Sequence, residues 1–198
     1  MKFPGLKPLL EPLSALQQLM SACGCPWMVI GGVAASLLGK PRFTGDVDIV
    51  TLIDDEKKDL AYILKMASRF GFQPRIKDAA AFARNNKVLL LTHTKSAINV
   101  DISLGLLPFE QDAIKRRKTR RAGNVILYLP VPEDLIIFKA VAHRPQDMLD
   151  IREIISVHPK IDKKYVRKTV KEFARVLEMP EILADLETLF TQEKDEIL

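Results

Sequence analysis

Along the first 131 residues, segments with the apolar pattern of a strand are interspersed with segments that have the apolar pattern of a helix. Short apolar or alternating runs predict strands at residues 27–30, 46–53, 87–92, 98–104 and 125–131. Helices are predicted at residues 13–23 and, from its Ala and Leu content, at residues 33–38; apolar positions at helical spacing between residues 60 and 67 predict a third helix. The third helix is expected to be capped by Asp54 and to end at Gly71. Residues 109–121 fit either a helix or an extended basic connection.

The pattern changes after Pro132, because four helical stretches follow with no strand among them. They cover residues 133–142, 146–157, 162–178 and 180–193. We therefore expect a core of residues 1–131 and a C-terminal helical region of residues 132–198. The order of elements in the core predicts an α/β (α+β) fold, in which helices flank a small mixed β-sheet.

The composition is that of an ordinary globular protein. The 198 residues are 47% hydrophobic and 28% charged, which excludes a disordered or fibrous chain. Lysine and arginine number 30 against 25 aspartates and glutamates, so the formal charge is +5. This mild basic excess favours a polyanionic partner without identifying one.

Membrane, secreted and zinc-binding classes are not expected. The longest uncharged run, residues 12–39, is interrupted by Gly, Pro, Ser and Gln, so it does not read as a membrane span. Residues 1–13 lack the apolar stretch of a signal peptide, and a cytoplasmic protein is expected. Cys23 and Cys25 have no second cysteine pair, which excludes a disulfide framework. The histidines are not at metal-ligand spacing, which argues against structural zinc.

Gly31 and Gly32 stand directly between a predicted strand and a short predicted helix. Paired glycines at such a point allow backbone N–H groups to approach a ligand closely. The N-terminus of the following helix then favours phosphate. The alternative, which is the more frequent one, is a tight turn that binds nothing.

Asp46 and Asp48 lie two residues apart in a predicted strand. Alternation puts both on one face, about 7 Å apart by strand rise, with Val47 and Ile49 on the other. Two like charges repel unless a cation lies between them. Hard carboxylate oxygens suit Mg²⁺, which also binds substrate phosphates. The alternative is an edge strand whose two acids simply face solvent.

Asp101 is a further acid within an apolar strand, between Val100 and Ile102. A lone acid on a half-exposed strand usually marks only the solvent side. Together with Asp46 and Asp48, it would complete a set of three acids from two neighbouring strands. Such a set can hold two Mg²⁺ ions, or Mn²⁺ in their place, which activate an attacking oxygen and stabilise the leaving pyrophosphate.

These motifs resemble the nucleotidyltransferase superfamily, the group with a polymerase-beta-like core, over residues 26–155. The finer resemblance is to the toxin-like AbiEii-type branch. The residues that match its pattern are Gly31, Gly32, Ala34, Gly39, Arg42, Thr44, Asp46, Asp48, Glu133, Asp134, Leu135, Lys139, Ala142, Arg144, Asp147 and Asp150. One departure is Gly32, where many members have serine; here Ser36 follows four residues on.

The resemblance implies a metal-dependent enzyme that moves an NMP group from an NTP to a hydroxyl acceptor. The acceptor would be an RNA or tRNA end or a protein side chain. The catalytic acids and metal ligands would be Asp46, Asp48 and Asp101. The nucleotide-binding residues would be Gly31, Gly32, Ser36, Arg42, Thr44, Lys139 and Asp147. The same branch implies a toxin of a toxin–antitoxin system, with an antitoxin protein as partner.

Two of these residues lie in the predicted helical region and have ordinary alternatives. Lys139 could reach the β- and γ-phosphates as a point charge, or it could be a solvated helix lysine. Asp147 and Asp150 share a helix face, since they are three residues apart. They could orient Lys139, Arg144 or the metal site, or they could be surface acids that pair with Arg144 or Arg152.

A basic run precedes the last predicted strand. Its six cations are Lys115, Arg116, Arg117, Lys118, Arg120 and Arg121. Such a run is usually a solvated face. The alternative is a contact with the phosphates of an RNA or tRNA acceptor. Base stacking is not expected there, because no aromatic residue interleaves with the cations.

Two rival functions stay open. An antibiotic nucleotidyltransferase of the aminoglycoside type would need an acidic pocket for its cationic drug, and the basic run argues against that. A catalytically silent nucleotide-binding module on the same fold is the second rival. The presence of all three acids argues against a silent module.

Overall fold

The computed structural model describes residues 4–53 and 60–195, so the helix cap predicted at Asp54 lies outside the described residues. Contacts group the chain into two units. The first contains Met1–Val33 and Arg42–Pro130, and the second contains Ala34–Pro41 and Val131–Leu198. The sequence placed residues 34–41 in the core instead. They join the C-terminal helices because Lys40 pairs with Glu153 at 2.6 Å and the His158 ring contacts the Leu38 carbonyl at 2.7 Å.

A five-stranded mixed sheet forms the centre of the first unit, and this confirms the predicted sheet. Its strands are β1 (Trp27–Val29), β2 (Asp46–Thr51), β3 (Phe72–Pro74), β4 (Val88–His93) and β5 (Asn99–Leu104), in the order β1-β2-β5-β4-β3. Strands β2 and β5 are parallel, and the other neighbouring pairs are antiparallel. The sequence did not predict β3, because its three residues include only one buried side chain and so show neither alternation nor the apolar run that marks β1.

The two faces of this sheet differ in polarity. Val47, Ile49 and their neighbours on β4 and β5 are buried on one face. Asp46 and Asp48 alternate with them and lie on the other face, as the period of two predicted. One face therefore supplies the hydrophobic core, while the other carries charged side chains within reach of solvent.

Helices and a hairpin complete the first unit. A 3₁₀-helix (Pro4–Leu9) leads into α1 (Leu10–Cys23), and three further helices are α3 (Leu60–Arg69), α4 (Ala79–Asn86) and α5 (Pro108–Arg116). The sequence did not predict α4, which has no clear apolar stripe. Strands β6 (Lys118–Ala122) and β7 (Val125–Leu129) form an antiparallel pair. The basic run is thus a helix followed by a strand.

Helix α2 (Gly31–Leu38) begins in the first unit and ends in the second. The sequence placed its start at residue 33, with the two glycines between the strand and the helix. Gly31 and Gly32 are instead its first two residues. A positive φ of 61° at Gly31 makes the sharp entry from β1, and such a backbone conformation favours glycine.

The second unit contains the four predicted helices. They are α6 (Pro132–Ala142), α7 (Pro145–Val157), α8 (Lys163–Val176) and α9 (Glu181–Asp195). Proline at the first position starts both α6 and α7, and the Asp162 side chain caps α8 by accepting from Tyr165 N at 2.9 Å. The described residues of this unit contain no strand. Across the described parts of both units, no helix is long and apolar enough to cross a bilayer.

Candidate active site

The three predicted acids lie on one face of the central sheet, on two neighbouring strands. Asp48 in β2 stands directly opposite Asp101 in β5, because the two strands are parallel and in register there. Asp46 precedes Asp48 by two residues and so shares its face. The strand register thus places the three acids on one face of neighbouring strands, while their grouping as a metal-binding and catalytic set stays a prediction.

Gly31 borders this face at the start of α2. A Cβ atom added to Gly31 would overlap the Asp48 carboxylate, with Asp48 Cγ only 2.7 Å away. The two backbones are also hydrogen-bonded at this point, because Ile30 N donates to Asp48 O at 2.9 Å. The absence of a side chain at Gly31 therefore lets the Asp48 carboxylate lie against the N-terminus of the helix.

Gly32 meets the loop that leads into β2. An added Cβ would lie 2.5 Å from Thr44 Oγ1 and 3.4 Å from Arg42 Nη2. The Thr44 hydroxyl donates to Asp46 Oδ1 at 3.0 Å, and Arg42 Nη1 donates to the Phe43 carbonyl at 3.1 Å. The structure thus brings Gly32, Arg42 and Thr44 beside the acidic pair, as expected of one site.

Arg75 is a member of this site that sequence reasoning missed. Its guanidinium forms an ion pair with Asp101, and the two side chains are 28% and 34% exposed. Burial and, to a smaller extent, the charge of Asp46 raise the pKa of Asp101, whereas Arg75 lowers it. The raising effects are larger, so the pKa of Asp101 lies above its usual value. No local signal marks Arg75, because it follows the short strand β3.

The acids suit a divalent cation in the type of ligand that they offer. Three carboxylates are hard oxygen ligands, and Gly31 leaves room for the Asp48 carboxylate beside the helix start. Within residues 4–53 and 60–195, however, no three acidic, histidine or cysteine side chains are gathered closely enough to hold a metal ion. The ligand chemistry therefore suits Mg²⁺, but the three carboxylates are not gathered around one point while Asp101 is paired with Arg75.

A family model described as a nucleotidyltransferase of unknown function (DUF6036) matches residues 6–197. The chain belongs to this nucleotidyltransferase family. The predicted membership of the nucleotidyltransferase superfamily is confirmed, and so is the prediction of an enzyme. The finer likeness to the AbiEii-type branch stays a prediction. No curated protein matches the sequence.

Solved structures give the same fold. An antigenic nucleotidyltransferase-like protein from Paracoccidioides brasiliensis is 16% identical with a TM-score of 0.53, over 90% of this chain and 92% of that one. The lincomycin-bound lincosamide antibiotic adenylyltransferase LnuA is 14% identical with a TM-score of 0.50, over 76% of this chain and 96% of that one. These similarities confirm the predicted nucleotidyltransferase-type fold.

The second unit of this nucleotidyltransferase holds Lys139 and Asp147 in a buried ionic cluster. Lys139 Nζ contacts Asp147 Oδ1 at 2.9 Å and Asp150 Oδ2 at 2.6 Å, and Arg144 Nε donates to Asp147 Oδ2 at 2.7 Å. Lys139 is 3% exposed and Asp147 1%, so the alternatives of a solvated lysine and of surface acids are wrong. Ser36 also belongs to this unit and is buried.

The charge of Asp147 reflects these neighbours. Burial by itself raises the pKa of Asp147, whereas hydrogen bonds from Arg144 and Lys139 lower it. The hydrogen bonds and positive charges of Arg144 and Lys139 together outweigh burial, so the pKa of Asp147 lies below its usual value. The aspartate is therefore ionised at neutral pH and holds the Lys139 ammonium in place.

The basic run spans the end of α5 and the strand β6. Lys115 and Arg116 end α5, and Lys115 pairs with Asp112 at 3.0 Å. Arg117 stacks 4.8 Å from the centre of the Tyr128 ring and donates to the Ile114 carbonyl. The remaining cations, on β6, are Lys118, Arg120 and Arg121.

Proposed function

We propose that this nucleotidyltransferase moves an NMP group from an NTP to a hydroxyl acceptor with the help of a divalent cation. The observation that carries the proposal is the face shared by Asp46, Asp48 and Asp101 beside the glycine start of α2. Transfer of this kind depends mainly on positioning and on neutralising phosphate charge. Both can be supplied by the residues of the first unit.

The start of α2 is the proposed seat of the triphosphate. Backbone N–H groups at the N-terminus of a helix attract anions, and Gly31 and Gly32 present them without Cβ atoms. The Arg42 guanidinium next to Gly32 adds positive charge. Many related enzymes have serine at the position of Gly32. In this chain the backbone N–H groups of α2 and the nearby Thr44 hydroxyl would replace the missing serine hydroxyl.

The three acids face that seat from the sheet. Asp46 and Asp48 would hold Mg²⁺, with Asp101 as third ligand, and the ion would neutralise phosphate charge and activate the attacking oxygen. The Thr44 hydroxyl orients the Asp46 carboxylate through its 3.0 Å hydrogen bond. Asp101 is also the proposed acceptor of the proton from the attacking hydroxyl, because it would stand beside the activated oxygen as the third ligand.

Lys139, Asp147 and Ser36 are proposed nucleotide contacts by the resemblance alone. An ammonium has three donors, and Asp147 and Asp150 each receive one from Lys139. Lys139 would thus act as a cation whose position is fixed by two buried carboxylates. Its replacement by methionine is expected to destabilise the second unit as well as to weaken nucleotide binding.

For the acceptor we propose an RNA or tRNA end that contacts the cations of β6. We further propose a toxin role with an antitoxin partner, which rests on the resemblance to the AbiEii-type branch. An antibiotic acceptor is the second candidate. LnuA, which shares the fold, is a lincosamide adenylyltransferase, and this makes a drug acceptor worth testing. The silent nucleotide-binding module is a third candidate, which the same assay addresses.

The test is transfer of label from each of the four α-³²P-NTPs to tRNA, total RNA, lysate protein, a lincosamide and an aminoglycoside. We expect Mg²⁺-dependent labelling of RNA. Replacing Asp46 or Asp48 by Asn should reduce it at least about a hundredfold, as when a group that stabilises the transition state is removed. The matched control is Asp112→Asn, which neutralises an exposed acid on α5 and should leave the rate unchanged. Labelling of no acceptor, or full activity in both site variants, would contradict the enzyme proposal.

A further inference from the structure

Arg75 stands at the end of a row of residues that crosses four strands of the sheet. Arg75 N donates to Leu90 O at 3.0 Å, directly after the paired residues of β3 and β4. Leu90 is opposite Asp101, and Asp101 is opposite Asp48. Residues that stand opposite one another in neighbouring strands share a face. The register therefore places the Arg75 side chain on the face of the three carboxylates.

This strand register brings the Arg75 side chain close enough to contact Asp101. The two residues are 26 positions apart, and the ion pair joins the end of β3 to the middle of β5 across β4. Both side chains are about one-third exposed, so the pair can open without unfolding the sheet. A solvent-accessible pair of this kind is weak enough for another cation to displace it.

Thr44 makes a different kind of contact with the same site. Its hydroxyl is a neutral donor to one oxygen of Asp46, and a carboxylate has about four acceptor positions. A cation can join Asp46 while that hydrogen bond persists. The guanidinium of Arg75 carries a full charge, so Arg75 and a divalent cation repel one another at Asp101.

We propose that Arg75 competes with the divalent cation for Asp101, so that loading the cation releases Arg75. The inference rests on the metal-dependent function proposed above. Arg75 is thus a positioning residue that holds the third acid until the cation arrives. Removing its charge should make the nucleotide-free enzyme bind the cation more tightly.

The experiment measures Mn²⁺ affinity of nucleotide-free, full-length enzyme from the electron paramagnetic resonance of free Mn²⁺. Arg75→Gln should tighten binding roughly two- to fivefold, the range expected for loss of a partly exposed ion pair. Arg75→Lys keeps the charge without the planar fork and should give an intermediate affinity. It also keeps the proposal testable if Arg75→Gln does not fold, as judged by circular dichroism. The matched control is Arg69→Gln on α3, which removes the same charge from an exposed position and should change little.

Two further variants separate this inference from the proposed function. Asp46→Asn and Asp48→Asn should weaken Mn²⁺ binding; if they do not, the metal site itself is wrong, and the inference fails with it. If they do, and Arg75→Gln binds Mn²⁺ as the wild type does or more weakly, only the competition is overturned. In an Asp101→Asn background, Arg75→Gln should have no effect, and tightening there would mean that the charge acts without Asp101.

Discussion

Gly31 and Asp48 share a space that has no room for a methyl group. A Cβ on Gly31 would overlap the Asp48 carboxylate, and Gly31 has a positive φ of 61°. The start of α2 and the acid of β2 are therefore fitted to each other through the absence of a side chain. Any residue other than glycine would both strain the backbone and displace the carboxylate.

The first prediction separates these two effects with Gly31→Ala and Gly123→Ala. Gly123 also has a φ of 61°, but nothing lies within 4 Å of its added Cβ. Gly123→Ala should lower the free energy of unfolding by about 1–2 kcal/mol, from backbone strain alone. Gly31→Ala should lower it by roughly a further 1–3 kcal/mol, because the methyl group overfills its site. Urea denaturation measures both differences.

The same pair of variants tests the site. Gly31→Ala should also lose nucleotidyl transfer, since the Asp48 carboxylate is displaced, whereas Gly123→Ala should keep it. Adding Asp48→Ala to Gly31→Ala should restore part of the lost stability. Equal destabilisation by the two alanines would contradict the close approach of Gly31 and Asp48.

The second prediction concerns acid stability of the buried cluster. The pKa of Asp147 is below its usual value of 3.8 in the folded protein, so the unfolded chain takes up a proton more readily. Ionised Asp147 therefore stabilises the fold above about pH 4, and this contribution is lost as the pH falls through the lower folded pKa. Asp147→Asn should lower the free energy of unfolding at pH 7 by roughly 1–3 kcal/mol, as expected for lost hydrogen bonds to charged donors. It should also flatten the fall in stability below about pH 4.

Denaturation between pH 3 and pH 7 checks this, with Glu172→Gln as the control. Glu172 is an exposed carboxylate on α8 in the same unit. Its replacement should leave both the neutral stability and the acid limb of the curve close to those of the wild type. An Asp147→Asn curve that runs parallel to the wild type below pH 4 would mean that Asp147 does not carry the acid dependence.

What the sequence could predict follows from the length of each local pattern. Strand β2 has six residues, enough for alternation to place Asp46 and Asp48 on one face. Strand β3 has three residues, of which only Phe72 is buried, so it lacks the apolar run that marked the equally short β1. Neither β3 nor the Arg75 contact that depends on its register could therefore be predicted. Sequence spacing paired Asp147 with Asp150, but only tertiary packing buries Lys139 against both.

Gly31 illustrates the remaining limit. Local rules treat paired glycines as a break before a helix, because glycine disfavours helical backbone. Here the close approach of Asp48 requires glycine at the first helical position, and that tertiary contact outweighs the local preference. The acids and glycines of the candidate site could therefore be proposed from the sequence, whereas Arg75 and the contacts of the site depend on packing between elements distant in sequence.

The last prediction concerns the three cations of β6, which are the proposed contact for RNA. Lys118 and Arg121 are exposed and Arg120 is half-buried, while Arg117 is stacked on Tyr128. Replacing the three β6 cations together by Gln should weaken single-stranded RNA binding. It should also reduce the slope of log affinity against log salt by roughly 1–2, since Lys118 and Arg120 share a face of β6, Arg121 lies on the other, and each phosphate contact contributes roughly 0.7. Fluorescence anisotropy of labelled RNA over a salt series measures the slope.

The matched control replaces three exposed lysines of α8 by Gln. These are Lys164, Lys168 and Lys171. Both triple variants lose the same net charge, so a general electrostatic effect would change their slopes equally. A loss confined to the β6 variant would support a local RNA contact, because counterion release counts only the phosphates that the protein neutralises. An unchanged slope in the β6 variant would contradict that contact and would favour the antibiotic-type acceptor, which carries no phosphate backbone.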